Sequence, residues 1–374
     1  MPQALWPLRI RSGDNPESVR LRKYLTGTHL LVDGVEFAVG PSPRRLVWSR
    51  DKTRLYRYES TAGVRHAVPV LLVYALILRP YILDLVPGRS LVEFLLGQGF
   101  DVYLLDWGVP DADDRGVGID DYVLDVLPEA VEQVLTCSSA DQVTLVGHCQ
   151  GGTMSAIYAA LFPSRSVRNL VLLAAPVDFS PPQPGLLGAW TWLTRQRAVV
   201  PSLLAEAAGE APAALPAVAV RAATRALAAT PGVAPVLLAL RDALVASEEL
   251  RAWLGASTWV DDAIPLARRG ARQWLRDFYR DNLLVKGELT LRGRRVVLSR
   301  IDVSVLAIAG TRDAVTPLAQ ARPLPQLVGG EDASSLLVDA GHVGLIVGPT
   351  ARSRTWQPLA RWLEARSGAQ PSRP

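Results

Sequence analysis

Six short apolar runs, separated by segments with helical spacing, constrain the fold of this chain more than any other feature. Most of the runs are continuously apolar instead of alternating apolar and polar, which is typical of strands buried on both faces. Strands of this kind that alternate with helices form a mostly parallel, doubly wound α/β sheet. The runs lie at residues 68–77, 100–108, 142–148, 167–176, 302–310 and 334–341.

The positions of these runs divide the chain into four parts. Residues 66–176 and 299–374 carry the strands, so we expect them to be the first and second parts of one core. Residues 177–298 are rich in Ala and Leu and too long for a loop, so we expect a helical lid inserted into the core. Residues 1–65 form an N-terminal arm, in which an antiparallel pair of strands is expected over 30–59.

Charge and cysteine content exclude several classes of protein. The 374 residues include 40 basic and 36 acidic side chains, and the basic ones are scattered, so no nucleic-acid partner is predicted. A hydrophobic content of 49% with a net charge of +4 excludes a disordered chain. Cys137 and Cys149 are too few for a disulfide framework or a four-thiolate metal site, and no metal is predicted. No continuously apolar run approaches about 18 residues, so we expect a cytoplasmic protein without a transmembrane span.

The most informative motif is Gly-His-Cys-Gln-Gly-Gly at residues 147–152, between a predicted strand and a predicted helix. It matches the G-x-S-x-G nucleophile elbow, with cysteine in place of serine. The helix that follows would place its N-terminus beneath Cys149, where it stabilises a thiolate. Cys149 is therefore the candidate nucleophile. Its alternative is an ordinary buried thiol, which is common for free cysteine.

Backbone N–H groups near the elbow are the candidate oxyanion donors. The N–H of Gln150 should supply one of them, because it follows the nucleophile directly. The second is expected at the end of the first core strand, near Leu76 and Ile77. His148 occupies the variable position before the nucleophile and is expected to line the substrate pocket.

Two partners for Cys149 follow it in the chain. Asp313 lies in AGTRDAVTP and His342 in DAGHVG, each just beyond a predicted strand, where active-site groups of α/β sheets are found. The order nucleophile, acid, histidine is that of the α/β-hydrolase fold. We therefore predict that fold and a Cys149, Asp313, His342 triad. Asp313 either orients His342 or helps it to deprotonate an incoming hydroxyl, and the residues leave both roles open.

A cysteine nucleophile favours acyl transfer from a thioester. An acyl group can move from acyl-CoA to a thiolate with little change in bond energy, so the acyl-enzyme remains reactive. His342 would deprotonate Cys149, and the acyl group would then pass to an alcohol or to water. The expected activity is that of an acyltransferase with acyl-CoA and a hydroxyl acceptor as substrates, and no cofactor is predicted.

Three segments resemble the polyhydroxyalkanoate synthase family: the elbow and two further blocks, at 74–110 and 272–298. The chain is most like the class III catalytic subunit. The resemblance implies that Cys149 carries the growing polyester, that His342 activates it, and that Asp313 helps to activate the 3-hydroxyl of the next monomer. It also implies an (R)-3-hydroxyacyl-CoA substrate, a non-catalytic partner subunit, a homodimer and a place at the polyester granule surface.

Other functions are compatible with the same residues. A thioesterase or polyester depolymerase would use water as acceptor, and a biosynthetic acyl-transfer or chain-release enzyme would use a different acceptor. From another class, the chain could be a non-catalytic granule-surface protein. The family usually has apolar or aromatic side chains on both sides of the cysteine, whereas this chain has His148 and Gln150.

Overall fold

A computed structural model describes residues 39–369, except residue 61, residues 163–165 and most of 181–263, where only Ala256, Trp259 and Asp262 are described. The predicted lid at 177–298 therefore lies largely outside the described residues. The strands are β1 Arg44–Arg50, β2 Thr53–Tyr58, β3 Val70–Val73, β4 Asp84–Val86, β5 Arg89–Ser90, β6 Val102–Asp106, β7 Val143–His148, β8 Val167–Leu173, β9 Thr290–Leu291, β10 Arg294–Arg295, β11 Ser304–Gly310 and β12 Ala333–Val338.

Eight of these strands form one sheet in the order β1-β2-β6-β3-β7-β8-β11-β12. All neighbours from β6 to β12 are parallel, and β1 and β2 extend the sheet as an antiparallel edge. Each of the six apolar runs contains a strand of this sheet. The mostly parallel α/β sheet predicted from the sequence is thus confirmed. Residues 30–38, the first part of the antiparallel pair expected in the arm, lie outside the described residues. The observed pair, β1 and β2, belongs to the same sheet, because β2 pairs with β6 and buries Leu55 fully in the core.

Helices cover both faces of the sheet. Those on one face pack on Leu71, Leu145 and Val305, and those on the other pack on Leu72 and Val146. The helices are α1 Leu91–Gly97, α2 Ile119–Asp121, α3 Leu127–Ser138, α4 Gln150–Leu161, α5 Arg268–Gln273, α6 Leu318–Ala321, α7 Leu324–Leu327, α8 Gly344–Val347 and α9 Gln357–Ser367, with π-helical turns at Tyr122–Val126, Trp274–Arg280 and Arg352–Trp356.

Helix α4 is the most deeply placed helix of the described chain, with every one of its residues buried. Its small residues, Gly151, Gly152, Ser155 and the alanines at its C-terminal end, let the helix axis lie close to the sheet. The same burial fixes its N-terminus directly after β7. The fold therefore holds the turn between β7 and α4 between two rigid elements.

Candidate active site

The turn between β7 and α4 consists of Cys149 alone. Its backbone has φ 53° and ψ −125°, a conformation that L-amino acids rarely adopt. The Cys149 N–H donates to the carbonyl of Leu173 in β8 at 3.0 Å, and its own carbonyl accepts from Gly152 at 3.0 Å. Cys149 is 9% exposed. The surrounding sheet and helix thus hold the residue in the strained conformation of a nucleophile elbow.

Two glycines of the motif make this turn possible. A Cβ at Gly147 would lie 2.4 Å from the Cα of Gly152, and a Cβ at Gly151 would lie 2.2 Å from the carbonyl oxygen of Val73. Both neighbours are backbone atoms that cannot move aside. Any side chain at either position would force β7, β3 and α4 apart, which explains the glycines of the motif.

Asp313 and His342 meet each other at the carboxyl ends of the last two strands. Asp313 follows β11 and His342 follows β12, and these strands are parallel neighbours. His342 Nδ1 lies 2.8 Å from Asp313 Oδ2. The other carboxylate oxygen accepts the backbone N–H groups of Val315 and Thr316, both at 2.8 Å. The Asp313 side chain is fully buried, so three hydrogen bonds fix the orientation in which it faces the imidazole.

Cys149 also acts on the His342 imidazole. Burial alone would lower the pKa of His342, but the charges of Asp313 and Cys149, with a hydrogen bond from each, raise it well above its ordinary value. The site therefore favours the protonated form of His342. The three residues singled out in the sequence are brought together in one chemically coupled group.

We expect the pKa of His342 to fall when Cys149 is alkylated with iodoacetamide. The neutral thioether removes one of the two negative charges that favour the imidazolium, so His342 releases its proton at a lower pH than in the free enzyme. An NMR titration of the His342 Cε1–H signal, assigned with a His342→Gln variant, measures this shift. A pKa that stays constant or rises on alkylation would contradict the coupling.

The second predicted oxyanion donor, expected near Leu76 and Ile77, lies in the loop after β3. The Leu76 N–H donates to Oε1 of Gln150 at 3.2 Å, and both residues are buried. Ile77 is half-buried, and its carbonyl accepts the N–H of Ile264 at 2.8 Å. Gln150 is the first residue of α4, so its backbone N–H lies at the helix N-terminus beside Cys149. The loop after β3 is thus tied to the elbow through the Gln150 side chain.

The Asp-Trp-Gly segment after β6 supports this loop. Trp107 Nε1 donates to the carbonyl of Tyr74 at 2.9 Å, and Asp106 accepts the N–H of Gly108 at 3.0 Å. Gly108 has φ +78°, and a Cβ there would lie 2.3 Å from the carbonyl oxygen of Lys52. The motif therefore holds the turn after β3 in place.

His148 lies against His342. Its ring is 2% exposed, stacks on Tyr74 (centroids 5.0 Å apart, 4° between planes) and lies 4.8 Å from the ring of His342. Neither ring nitrogen has a hydrogen-bond partner among the described residues. Burial, and next the charge of His342, lower the pKa of His148 well below its ordinary value. His148 is therefore a neutral ring packed beside His342.

An aromatic residue that the sequence analysis did not predict, Tyr279, lies near enough to Cys149 to be affected by its charge. It lies in the π-helical turn Trp274–Arg280, and its ring contacts Phe179 at 5.0 Å between centroids. Burial raises the pKa of Tyr279, the charge of Cys149 raises it further, and a hydrogen bond with Trp274 lowers it. π-Helical turns are frequent at functional sites. A signal was available, because Tyr279 belongs to the block at 272–298.

Two family models match the chain. One, described as alpha/beta hydrolase fold, matches residues 68–349, and the other, described as Poly-beta-hydroxybutyrate polymerase (PhaC) N-terminus, matches residues 17–95. A putative lipase from Sulfolobus solfataricus is similar in structure, with a TM-score of 0.53 and 15% identity over 86% of this chain and 93% of that chain. This structural likeness shows the fold alone. The predicted α/β-hydrolase fold is thereby confirmed.

Sequence relatives identify the protein family within this fold. The poly(3-hydroxyalkanoate) polymerase subunit PhaC of Haloferax mediterranei is 36% identical, over 89% of this chain and 66% of that protein. The protein of the same name from Allochromatium vinosum is 34% identical, over 92% of this chain and 95% of that protein. The resemblance inferred from the sequence blocks is confirmed. With its elbow cysteine on an α/β-hydrolase fold, this chain belongs to the poly(3-hydroxyalkanoate) polymerase subunit family.

Proposed function

We propose that this chain builds a polyester by moving 3-hydroxyacyl groups from (R)-3-hydroxyacyl-CoA through a Cys149 thioester to a hydroxyl acceptor. The observation that carries the proposal is the position of Cys149 in a strained elbow, coupled to His342, which Asp313 holds by a 2.8 Å hydrogen bond. The relatives from Haloferax mediterranei and Allochromatium vinosum are both named as poly(3-hydroxyalkanoate) polymerase subunits, and these names support the same reaction.

Acylation of Cys149 would be the first half of the reaction. The thiolate attacks the thioester carbonyl carbon, a C–S bond forms, and the carbonyl electron pair moves onto oxygen. When that pair returns, the bond to the CoA sulfur breaks. The departing sulfur takes the proton of His342, which leaves free CoA, a neutral His342 and an acyl-Cys149.

Transfer to the acceptor would be the second half. The thioester of Cys149 carries no charge, so one of the causes that raise the pKa of His342 is gone, and the neutral imidazole becomes a base. It takes the proton of the incoming 3-hydroxyl, the oxygen attacks the thioester carbon, and the Cys149 thiolate leaves. The ester is formed, and the starting imidazolium and thiolate are restored.

Asp313 is best described as the residue that orients His342 in this scheme. Its side chain is fully buried, and its Oδ2 faces the Nδ1 of His342. An incoming hydroxyl would therefore meet His342, not Asp313. The carboxylate would act through the imidazole, by fixing its plane and stabilising its protonated form.

The proposal also includes the partners and the cellular location of this chain. The relatives are named as subunits of a polymerase, which supports a non-catalytic partner subunit for this chain. We also propose a homodimer and a place at the surface of polyester granules in the cytoplasm. Among the described helices, none is both long and apolar enough to cross a membrane. The reaction needs acyl-CoA and a hydroxyl acceptor, and no cofactor forms part of it.

Product analysis tests the proposal. The purified protein is mixed with (R)-3-hydroxybutyryl-CoA, thiol release is followed, and the acyl product is identified. We expect stoichiometric CoA release with polymeric ester. CoA release with free 3-hydroxybutyrate as the only product would instead identify a thioesterase. Absence of CoA release, both from the protein alone and in the presence of its non-catalytic partner subunit, would contradict the proposal.

A further inference from the structure

The side-chain oxygen of Gln150 accepts a hydrogen bond from a backbone N–H group that the sequence predicts to be part of the oxyanion hole. Leu76 donates that N–H to Gln150 Oε1 at 3.2 Å. A backbone N–H that already donates to an amide oxygen is not free for a substrate oxygen. The second donor expected at Leu76 is therefore engaged within the protein.

The same hydrogen bond fixes the other end of the carboxamide. An amide is planar, with one acceptor oxygen and one NH₂ group that carries two donors. Because only Oε1 can accept the Leu76 N–H, the assignment of the two ends is unambiguous, and Nε2 lies on the opposite side of the group. Within the described ranges no residue accepts a hydrogen bond from Nε2, although Gln150 is only 6% exposed.

The position and the chemistry of this amide group suit it to donate a hydrogen bond to an oxyanion. Gln150 directly follows Cys149, and its backbone N–H lies at the N-terminus of α4. Side-chain amides serve as oxyanion donors in acyl transfer, where they act on charge that develops in the transition state. Donation from Leu76 to the amide oxygen also polarises the group and strengthens its NH₂ as a donor.

We propose that the Gln150 carboxamide is a catalytic residue whose Nε2 donates to the oxyanion formed on Cys149 acylation, in the place expected for the Leu76 N–H. As the Sγ–C bond forms, the carbonyl electron pair moves to oxygen and meets two donors of Gln150, its backbone N–H and its Nε2. The pair then returns and expels the leaving group. This inference rests on the proposed acylation of Cys149, but it holds for any acyl donor.

A Gln150→Met variant tests the proposal, with p-nitrophenyl acetate as acyl donor. Methionine has a similar length and volume but no donor. A second variant, Gln150→Glu, keeps an oxygen that can accept the Leu76 N–H but has no N–H to donate when ionised. We expect the single-turnover release of p-nitrophenolate to slow by roughly 10²–10³-fold, the usual cost of one oxyanion donor. Alkylation of Cys149 by iodoacetamide, in which no oxyanion forms, should keep its rate within a factor of about two to three.

A matched substitution, Gln357→Met, provides the control. Gln357 is also the first residue of a helix, α9, but it is exposed. This variant should keep both rates. Acylation at the wild-type rate in both Gln150→Met and Gln150→Glu would overturn the proposal, and so would an equal loss of acylation and alkylation, because that would show a displaced elbow. The polymerase proposal fails independently if wild-type protein reacts with p-nitrophenyl acetate but, both alone and with the partner subunit, does not react with (R)-3-hydroxybutyryl-CoA.

Discussion

Replacement of Cys149 by alanine is expected to reduce CoA release from (R)-3-hydroxybutyryl-CoA by about 10⁴-fold or more, as for loss of a triad nucleophile. The thiolate is the only group of the protein that bonds to the acyl carbon in the proposed reaction. The oxyanion donors and the imidazole would remain, but no acyl-enzyme could form. A thiol-detection assay under saturating substrate measures the loss, and thermal unfolding shows whether the variant is folded.

Two variants make the Cys149 result specific. Cys137→Ala removes the other thiol, which is partly buried at the end of α3, and should leave turnover unchanged. Cys149→Ser should retain only weak activity, because a hydroxyl is a far poorer nucleophile beside a histidine matched to a thiol. Full turnover by Cys149→Ala would refute the mechanism. Equal or faster hydrolysis by Cys149→Ser would indicate an esterase-like site.

Replacement of His342 by alanine should have the second largest effect, a loss of more than ~10²-fold in turnover. His342 carries the proton to the CoA sulfur and removes the proton of the incoming hydroxyl, so both halves of the reaction lose their acid–base group. Rapid-quench kinetics separate CoA release from ester formation, and both should slow. A small loss would assign the proton transfers to another group.

Asp313→Asn provides the companion test of orientation. The asparagine keeps the size of the side chain but removes the negative charge that faces His342 Nδ1 at 2.8 Å. We expect turnover to fall by more than ~10²-fold, because the imidazolium loses its buried counter-charge. A His66→Ala variant is a suitable control, since His66 stacks on Phe100 and is not part of the triad. Wild-type turnover in Asp313→Asn would limit Asp313 to a structural role.

The fold and the three reactive side chains were accessible from sequence because they follow strand-end rules. Continuous apolar runs such as 142–148 predict parallel strands, and the carboxyl ends of neighbouring parallel strands meet at one edge. Cys149, Asp313 and His342 each come within three residues after the end of such a run. Strand order and register are therefore enough to bring them together.

The finer structure of the site depends on distances that no local pattern encodes. The apolar run at 68–77 contains a strand only at Val70–Val73, because the chain then turns into the loop that carries Leu76. The bond from Leu76 to Gln150 joins positions 74 residues apart. The packing of His148 between Tyr74 and His342 likewise depends on three separate segments. Contacts of this kind follow from the folded sheet.

The central claim, a covalent intermediate on Cys149, is tested most directly by peptide mass spectrometry of the wild-type protein. The protein is mixed with (R)-3-hydroxybutyryl-CoA, quenched in acid during the first turnover, and digested under conditions that preserve thioesters. We predict that the peptide containing Cys149 carries one or more 3-hydroxybutyryl groups, while the peptide containing Cys137 is unmodified. CoA release without any acyl group on Cys149 would contradict the account.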